Sequence, residues 1–188
     1  MPTRPEPEIF CPSSRQHWRE WLQTYHASRP AVWLLYHKQS SPTTNLSYAE
    51  AVEEALCFGW IDSRAQPVDA HTYRQFFSPR KPGGTWSRVN KERVQRLQAA
   101  GQLAPAGRAA IALAQQNGAW AMLDDVEALR VPPDLQQALD SQPGTDARFA
   151  ALSRTVRRTL LLQLVMARRP ETRQKRVAEI VAQLVAPA

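Results

Sequence analysis

The sequence predicts an α+β fold that is mostly helical, with a small antiparallel sheet of about three strands and a C-terminal helical subdomain. Three segments rich in β-forming residues lie in the first 80 positions, and helical periodicity dominates after residue 85. With 188 residues, 43% of them hydrophobic and 22% charged, the chain is long enough to bury one substantial core.

The N-terminal elements follow from composition and capping signals. Residues 1–12 are rich in proline and glutamate, which predicts an extended tail. Ser13 or Ser14 can cap a helix that runs to about Tyr25 with its aromatic residues on one face. Residues 31–38 then form the clearest strand.

The next elements are a helix and a hairpin. Ser47 and Glu50 have the spacing of a capping box, and Gly59 is suited to end the helix in a left-handed conformation. Residues 60–66 and 72–78 read as two strands joined by a short connection, so we expect an antiparallel hairpin.

The rest of the chain predicts helices, because apolar residues recur every three or four positions between recognisable start and stop signals. The start signals are Thr85, Pro105, Pro133, Ser153 and Pro170. We therefore expect an α+β core over residues 13–131 and a helical subdomain over residues 132–188.

Charge is unevenly distributed. Residues 64–108 hold nine Lys or Arg against two Asp or Glu, and residues 144–188 hold nine against three, with an acidic stretch between them. Such blocks are usually solvated surface, but they can also attract nucleic acid, phosphorylated ligands or an acidic membrane surface.

Several classes of protein are disfavoured. No segment approaches the ~20 apolar residues of a membrane span, and the N-terminus lacks a signal-peptide profile. Cys11 and Cys57 lack CxxC spacing, so neither a disulfide framework nor a zinc site is predicted. We expect a cytoplasmic protein without a metal or cofactor.

The segment 58–90 concentrates the chemistry of the chain. It combines tryptophans, a carboxylate, hydroxyls, cations and an amide with a tight turn made by proline and glycine at positions 79 and 82–84. The residues predicted to bind a ligand or partner are Trp60, Asp62, Ser63, Arg80, Lys81, Trp86, Ser87 and Asn90. We expect Asp62, Arg80, Lys81, Ser87 and Asn90 to border one concavity, with at least one tryptophan in its wall.

Two interpretations of this segment remain open. Asp62 could orient Arg80 while Lys81 and a helix N-terminus receive an anion, or Asp62 and Arg80 could form a purely structural ion pair. The tryptophans could stack on a ligand or belong to the core. No nucleophile elbow, histidine pair or nucleotide-binding glycine loop is present, so no catalytic residue is predicted.

Basic residues outside this set give a second hypothesis. Arginine recognises phosphate through a rigid fork of donors, although no helix-turn-helix, RNP or zinc-finger signature accompanies it here. The possible anion or nucleic-acid contacts are Arg88, Lys91, Arg157, Arg158, Arg168, Arg169 and Arg173.

Residues 58–63 (Phe-Gly-Trp-Ile-Asp-Ser), 78–82 (Ser-Pro-Arg-Lys-Pro) and 86–94, with the helix 47–57 before them, resemble the bacterial YdeI/OmpD-associated family, also called bacteriocin-protection. Residues 103–107 and 168–173 are similar to further blocks of that family. The resemblance implies a role in survival under antimicrobial-peptide and envelope stress, and it carries no established reaction.

Three functions are therefore compatible with the sequence. The first is a non-enzymatic stress-protection protein that holds an anionic or polar ligand, or a partner protein, at the 58–90 surface. The second is nucleic-acid binding through segments 64–108 and 144–188. The third is an enzyme acting on a small phosphorylated or sugar-like substrate. The oligomeric state is not predicted.

Overall fold

The computed structural model describes residues 6–38, 41 and 45–185 and confirms the α+β class. The chain divides into two compact units. Unit 1 holds the residues up to Gly84 together with Val89–Trp120, and unit 2 holds Thr85–Arg88 and the residues from Ala121 onward. The predicted division into a core over residues 13–131 and a helical subdomain over residues 132–188 remains a prediction.

Unit 1 contains the sheet and two helices that pack on it, followed by two more helices. Its elements are β1 (Ile9–Phe10), α1 (Arg15–Tyr25), β2 (Val32–His37), α2 (Tyr48–Cys57), β3 (Trp60–Pro67), β4 (Thr72–Pro79), α3 (Arg88–Ala99, from Val89 onward) and α4 (Pro105–Gln116).

The sheet has four strands in the order β1-β2-β4-β3 and is mixed. The β2–β4 and β3–β4 pairs are antiparallel, whereas β1 runs parallel to β2, with Ile9 opposite Trp33. The prediction of about three antiparallel strands was therefore one strand short, because Ile9–Phe10 lies in the segment expected to be an extended tail. Two residues are too few to show the alternation by which a strand is recognised.

Local signals in unit 1 act as the sequence predicts. The Ser14 side chain accepts a hydrogen bond from the backbone of His17, and Ser47 and Glu50 form a complete capping box. Gly59 has φ of +73°, a conformation that L-residues rarely adopt, so the chain leaves α2 there and enters β3.

The hairpin register brings the two ends of the motif segment together. Trp60 pairs with Pro79 and Asp62 with Phe77, which confirms that residues 60–63 and 76–80 lie on adjacent antiparallel strands. The register then shifts between Asp62 and Ala65. Three steps along β3 match two along β4, so Ser63 and Arg64 lie in a β-bulge.

Aromatic residues build the core between the sheet and the helices α1 and α2. Trp18 stacks on Trp21 with ring centroids 5.2 Å apart and meets Phe77 of β4 edge-on at 5.6 Å. The indole of Trp18 donates to the carbonyl of Ala51 in α2 at 3.1 Å. This face of the sheet, which we call the inner face, therefore holds the main core of unit 1.

Unit 2 is helical. Its elements are α5 (Asp124–Glu127), α6 (Pro133–Asp140), α7 (Thr145–Ala151), α8 (Arg154–Val165) and α9 (Pro170–Val185). Helices beginning near Pro133, Ser153 and Pro170 were predicted, and the Ser153 side chain caps α8 by accepting from the backbone of Val156. The short helices α5 and α7 were not predicted, because neither is long enough to show a full apolar stripe.

Helix α3 departs from the prediction in one respect. It begins at Arg88, not near Thr85, and Val89, expected to pack inward, is 49% exposed. Val94 and Leu97 are buried as expected. Among the helices of the described residues, none is long and apolar enough to cross a membrane.

Candidate functional site

The inner face of the sheet carries a group of polar side chains beneath the start of α2. We call it the tyrosine–aspartate cluster, and it consists of Tyr36, Tyr48, Asp62, Tyr73 and Gln75. The hydroxyl of Tyr48, the first residue of α2, donates to Oδ2 of Asp62 at 2.8 Å. The Gln75 amide donates to the same oxygen at 3.1 Å and to the carbonyl of Ser63 at 3.3 Å.

Two further tyrosines extend the cluster along the sheet. Tyr36 of β2 lies opposite Tyr73 of β4, and their rings stack with centroids 4.9 Å apart and planes 9° apart. Tyr36 is fully buried, and its hydroxyl has no hydrogen-bond partner among the described residues. A buried donor without an acceptor is unusual in a protein interior and marks this end of the cluster as unsatisfied.

The tyrosines of the cluster keep their protons at neutral pH. Burial raises the pKa of Tyr48 to about 12, and the hydrogen bond to Asp62 adds to the effect because it favours the neutral phenol. Burial also raises the pKa of Tyr36 and of Tyr73. These side chains therefore act as hydrogen-bond donors and ring surfaces, not as bases.

Two arginines lie near the Asp62–Tyr48 pair. Burial lowers the pKa of Arg80 to about 10, and the carboxylate of Asp62 partly opposes this shift, so the two side chains are within electrostatic reach of each other. The charge of Arg93 in α3 favours ionisation of Tyr48, and one guanidinium nitrogen donates to Oδ1 of Asn90 at 3.0 Å. Since the pKa of Arg80 lies well above 7, this arginine remains charged at neutral pH.

A cavity of about 650 Å³ adjoins the cluster at the end of β2 and the start of α2. Tyr48 and Tyr73 belong to both the cluster and the cavity wall. Its other described wall residues are His37, Lys38, Asn45, Leu46, Ser47 and Glu50. This volume is within the range of small-molecule sites, and the wall combines aromatic and polar groups as such sites do.

Only part of the predicted set converges on this region. Asp62, Arg80 and Asn90 are linked to it by the interactions above. Ser63 and Lys81 are exposed, and the Lys81 carbonyl accepts from the Gly84 backbone at 2.9 Å in the tight turn.

The two tryptophans of the motif segment are buried. The Trp60 indole donates to the His26 carbonyl at 3.2 Å and its ring meets Trp21 edge-on, so it is a core residue of unit 1. Trp86 is 2% exposed and belongs with Ser87 and Arg88 to unit 2. A single concavity that includes Trp86 and Ser87 therefore remains a prediction.

The other predicted anion contacts have varied surroundings. Arg158 pairs with Glu127 at 2.7 Å and Arg173 with Asp134 at 2.5 Å, which explains why the pKa of each carboxyl is lowered. The Lys91 ammonium lies 5.4 Å from the centre of the Trp120 ring. Arg88, Arg168 and Arg169 are exposed, and Arg157 is half-buried.

Sequence reasoning missed Tyr36, Tyr48, Tyr73, Gln75 and Arg93 as site residues. Tyr48 was visible only as part of the helix that follows the capping box, and its bond to Asp62 crosses 14 positions. Gln75 stands in a strand with no motif around it, and Arg93 lies in the family-like block 86–94 but was not singled out there. No group of His, Cys, Asp or Glu in the described parts of the chain is arranged to hold a metal ion.

The fold and the site together define an α+β protein with a tyrosine-lined polar site on the helix-covered face of its sheet. Residues 10–110 match the family model described as a domain of unknown function (DUF8412), which spans more than half of the chain, so the chain belongs to this family. Residues 128–186 match the model described as bacteriocin-protection, YdeI or OmpD-associated.

The family resemblance drawn from the sequence is thus shown for the C-terminal part. The motif segment 58–90, from which it was first drawn, lies within the DUF8412 match instead. Neither a curated protein nor a solved structure matches the chain.

Proposed function

We propose that this chain is a non-enzymatic binding protein of the YdeI/OmpD-associated type, which holds an anionic ligand at the tyrosine–aspartate cluster and thereby contributes to protection under antimicrobial-peptide or envelope stress. The observation that carries the proposal is that Arg80 lies within electrostatic reach of Asp62, and Arg93 within reach of the Tyr48 that donates to Asp62, beside a cavity of about 650 Å³.

The charge of the site favours an anion. Two guanidiniums against the Asp62 carboxylate leave a net positive charge, because Lys38 and Glu50 of the cavity wall add one charge of each sign. Partial burial of Arg80 strengthens its interaction with a ligand that excludes water. Asp62 is itself held by Tyr48 and Gln75, so its position is fixed before a ligand arrives. Such preorganisation reduces the ordering cost of binding.

The same groups favour binding over acid–base chemistry. A phenol whose pKa is raised to about 12, as in Tyr48, is a poor base at neutral pH, and an arginine that stays charged is a poor proton donor. Both remain good hydrogen-bond donors to carboxylate or phosphate oxygens.

The direct test is a thermal-shift titration with inorganic phosphate, pyrophosphate and citrate. A ligand present at about 100 times its Kd stabilises the folded state by about 2.7 kcal/mol. For a chain of this length that corresponds to a rise in Tm of about 5–10 °C. Arg93→Ala should remove the rise.

The matched control is Arg96→Ala, on the same helix. Arg96 is exposed and pairs with Glu53 at 3.1 Å, so the variant changes the net charge equally without touching the cluster. If no anion raises Tm, or if both variants lose the rise equally, the proposed site is wrong.

A second test uses cells that need this protein to survive exposure to a cationic antimicrobial peptide. A variant with alanine at both Arg80 and Lys81 should keep its Tm close to that of the wild type if Arg80 serves binding, and should lose protection. Loss of the fold in this variant would instead assign Arg80 a structural role.

A further inference from the structure

The outer face of the sheet, opposite to α1 and α2, carries a second group of aromatic and cationic side chains. Trp33 of β2 and Phe76 of β4 form a registered cross-strand pair on the two central strands, with ring centroids 5.0 Å apart and planes at 77°. Trp33 is nearly fully buried, but its neighbours on this face are half-buried or exposed. Those neighbours are Leu35, Ile61, Arg64, Gln66, Arg74, Phe76 and Ser78.

Two arginines lie on these rings. The Arg64 guanidinium is 4.4 Å from the centre of Phe76 and 5.0 Å from that of Trp33, and Arg74 is 4.3 Å from Trp33. Arg74 is also fixed by Gln66, which accepts from two of its nitrogens at 3.1 and 2.9 Å, and lies 3.5 Å from the carboxylate of Glu6.

The N–H donors of Arg64, unlike those of Arg74, are not engaged by Gln66 or Glu6. Arg64 is exposed, it lies in the β-bulge, and no hydrogen bond or ion pair to another described residue engages its guanidinium. Stacking on two rings therefore orients a cation whose N–H groups remain available to a ligand. A bulge in an edge strand commonly serves to re-aim a side chain in this way.

Trp33 adds an independent observation. It is 2% exposed, and its indole N–H is buried without an acceptor among the described residues. Protein interiors rarely leave such a donor unpaired. A ligand that displaces the Arg64 head group would uncover part of the ring surface that it now covers.

From these features we infer that the outer face binds single-stranded nucleic acid. The half-buried Phe76 ring, and the Trp33 ring once Arg64 moves aside, provide stacking surfaces for exposed bases, and the arginines provide contacts to phosphates. The charge of this face is complementary, since Arg64 and Arg74 both lie on it and Arg74 alone is near a carboxylate, that of Glu6, among the described residues. Duplexes hide the base faces that such a surface recognises.

This site is separate from the tyrosine–aspartate cluster. In β4, Tyr73 and Gln75 point to the inner face, whereas Arg74 and Phe76 alternate with them and point to the outer face. The two proposals can therefore fail independently.

The test is fluorescence anisotropy of the whole protein with labelled oligo-dT and oligo-rU of about 15 nucleotides, which suits one sheet surface, and with a duplex of equal length. Arg64→Ala should weaken single-strand binding about tenfold, as expected for one charge-assisted contact. It should also reduce the slope of log K against log salt by about 0.7. Preference for one oligomer would identify the bound strand as DNA or RNA, and equal binding would mean that the face accepts both. Either outcome supports the inference.

Arg29→Ala is the matched control. Arg29 is an exposed arginine in the same unit, lies 5.5 Å from the Tyr25 ring and pairs loosely with Glu8 at 3.8 Å. Its removal should leave affinity unchanged apart from a small effect of net charge. Arg64→Lys keeps the charge but lacks the planar fork, so its affinity for single strands should lie between those of the wild type and Arg64→Ala. It replaces the alanine variant in the test if that variant does not fold.

Four results would overturn the inference. The first is that neither single strand binds at low salt. The second is that the duplex binds as well as the single strands. The third is that Arg29→Ala and Arg64→Ala weaken binding equally. Binding to anionic lipid vesicles in place of oligonucleotides would assign the face to a membrane surface and would also contradict it.

Discussion

Replacing Tyr48 by phenylalanine removes one hydroxyl and tests how much the hydrogen bond between α2 and β3 contributes to the stability of the fold. The lost bond is 2.8 Å long and its acceptor is a carboxylate. Bonds to charged groups contribute about 1.5–3 kcal/mol to stability. Tyr48 is 43% exposed, so solvent screening reduces this figure. We expect a loss of about 1 kcal/mol, since Asp62 keeps its bond from Gln75.

The assay is urea unfolding monitored by tryptophan fluorescence, with Tyr25→Phe as the matched control. Tyr25 is 37% exposed, and its hydroxyl has no hydrogen-bond partner among the described residues. Both variants make the same chemical change in unit 1, so the difference between their free energies of unfolding isolates the Tyr48–Asp62 bond. A double-mutant cycle with Asp62→Asn should give a coupling energy of about 0.5–1 kcal/mol.

Two results would refute this reasoning. Equal stabilities of Tyr48→Phe and Tyr25→Phe would mean that the bond contributes nothing measurable. A coupling energy near zero in the cycle would mean that the cost of Tyr48→Phe arises elsewhere, for example in the cavity wall that Tyr48 also forms.

The remaining predictions concern the packing of α4 on α2 and the two thiols. Gly107→Ala would place a Cβ 2.2 Å from the carbonyl oxygen of Cys57. Because the clash is with backbone, we expect a loss of about 3 kcal/mol by urea unfolding, and a loss below about 1 kcal/mol would contradict the packing. Burial raises the pKa of Cys57 to about 11, so at pH 8 a thiol reagent should modify exposed Cys11 in the native protein and Cys57 only after unfolding. Because folding raises the pKa of Cys57, the stability linked to this thiol is fully present below its usual pKa of 9.0 and falls as pH rises through about 11. The free energies of unfolding at pH 8 and pH 11 measure this loss. If Cys57 reacts as fast as Cys11 in the folded protein, Cys57 is not buried and this prediction is wrong.

Elements with short-range signals were predicted from the sequence. The capping box of Ser47 and Glu50, the left-handed Gly59 and the prolines that open α4, α6 and α9 each depend on residues a few positions apart. Such signals act on backbone groups of their own segment, so the rest of the fold is not needed to interpret them. The β3–β4 hairpin was predictable for the same reason.

The missed elements lack such signals. Ile9–Phe10 becomes a strand only because β2 offers an edge for it, with the Trp33 backbone donating to the Glu8 carbonyl at 2.9 Å. Val89 was assigned to the apolar stripe of α3 by its position, yet it is exposed. The periodicity of a helix shows which residues share a face, but not which part of that face another element covers.

For the candidate site, the sequence determined which chemical groups are available and roughly where they stand along the chain. It placed Asp62 at the start of β3 and Arg80 just after β4, and the hairpin makes these neighbours in any fold that contains it. Only the tertiary structure brought Tyr48 of α2 to the Asp62 carboxylate and Arg93 of α3 near Tyr48. Likewise, only the β-bulge at residues 63–64 placed Arg64 on the outer face. Contacts between elements distant in sequence depend on how helices pack on the sheet, and that packing follows from the burial of many side chains together, not from any one motif.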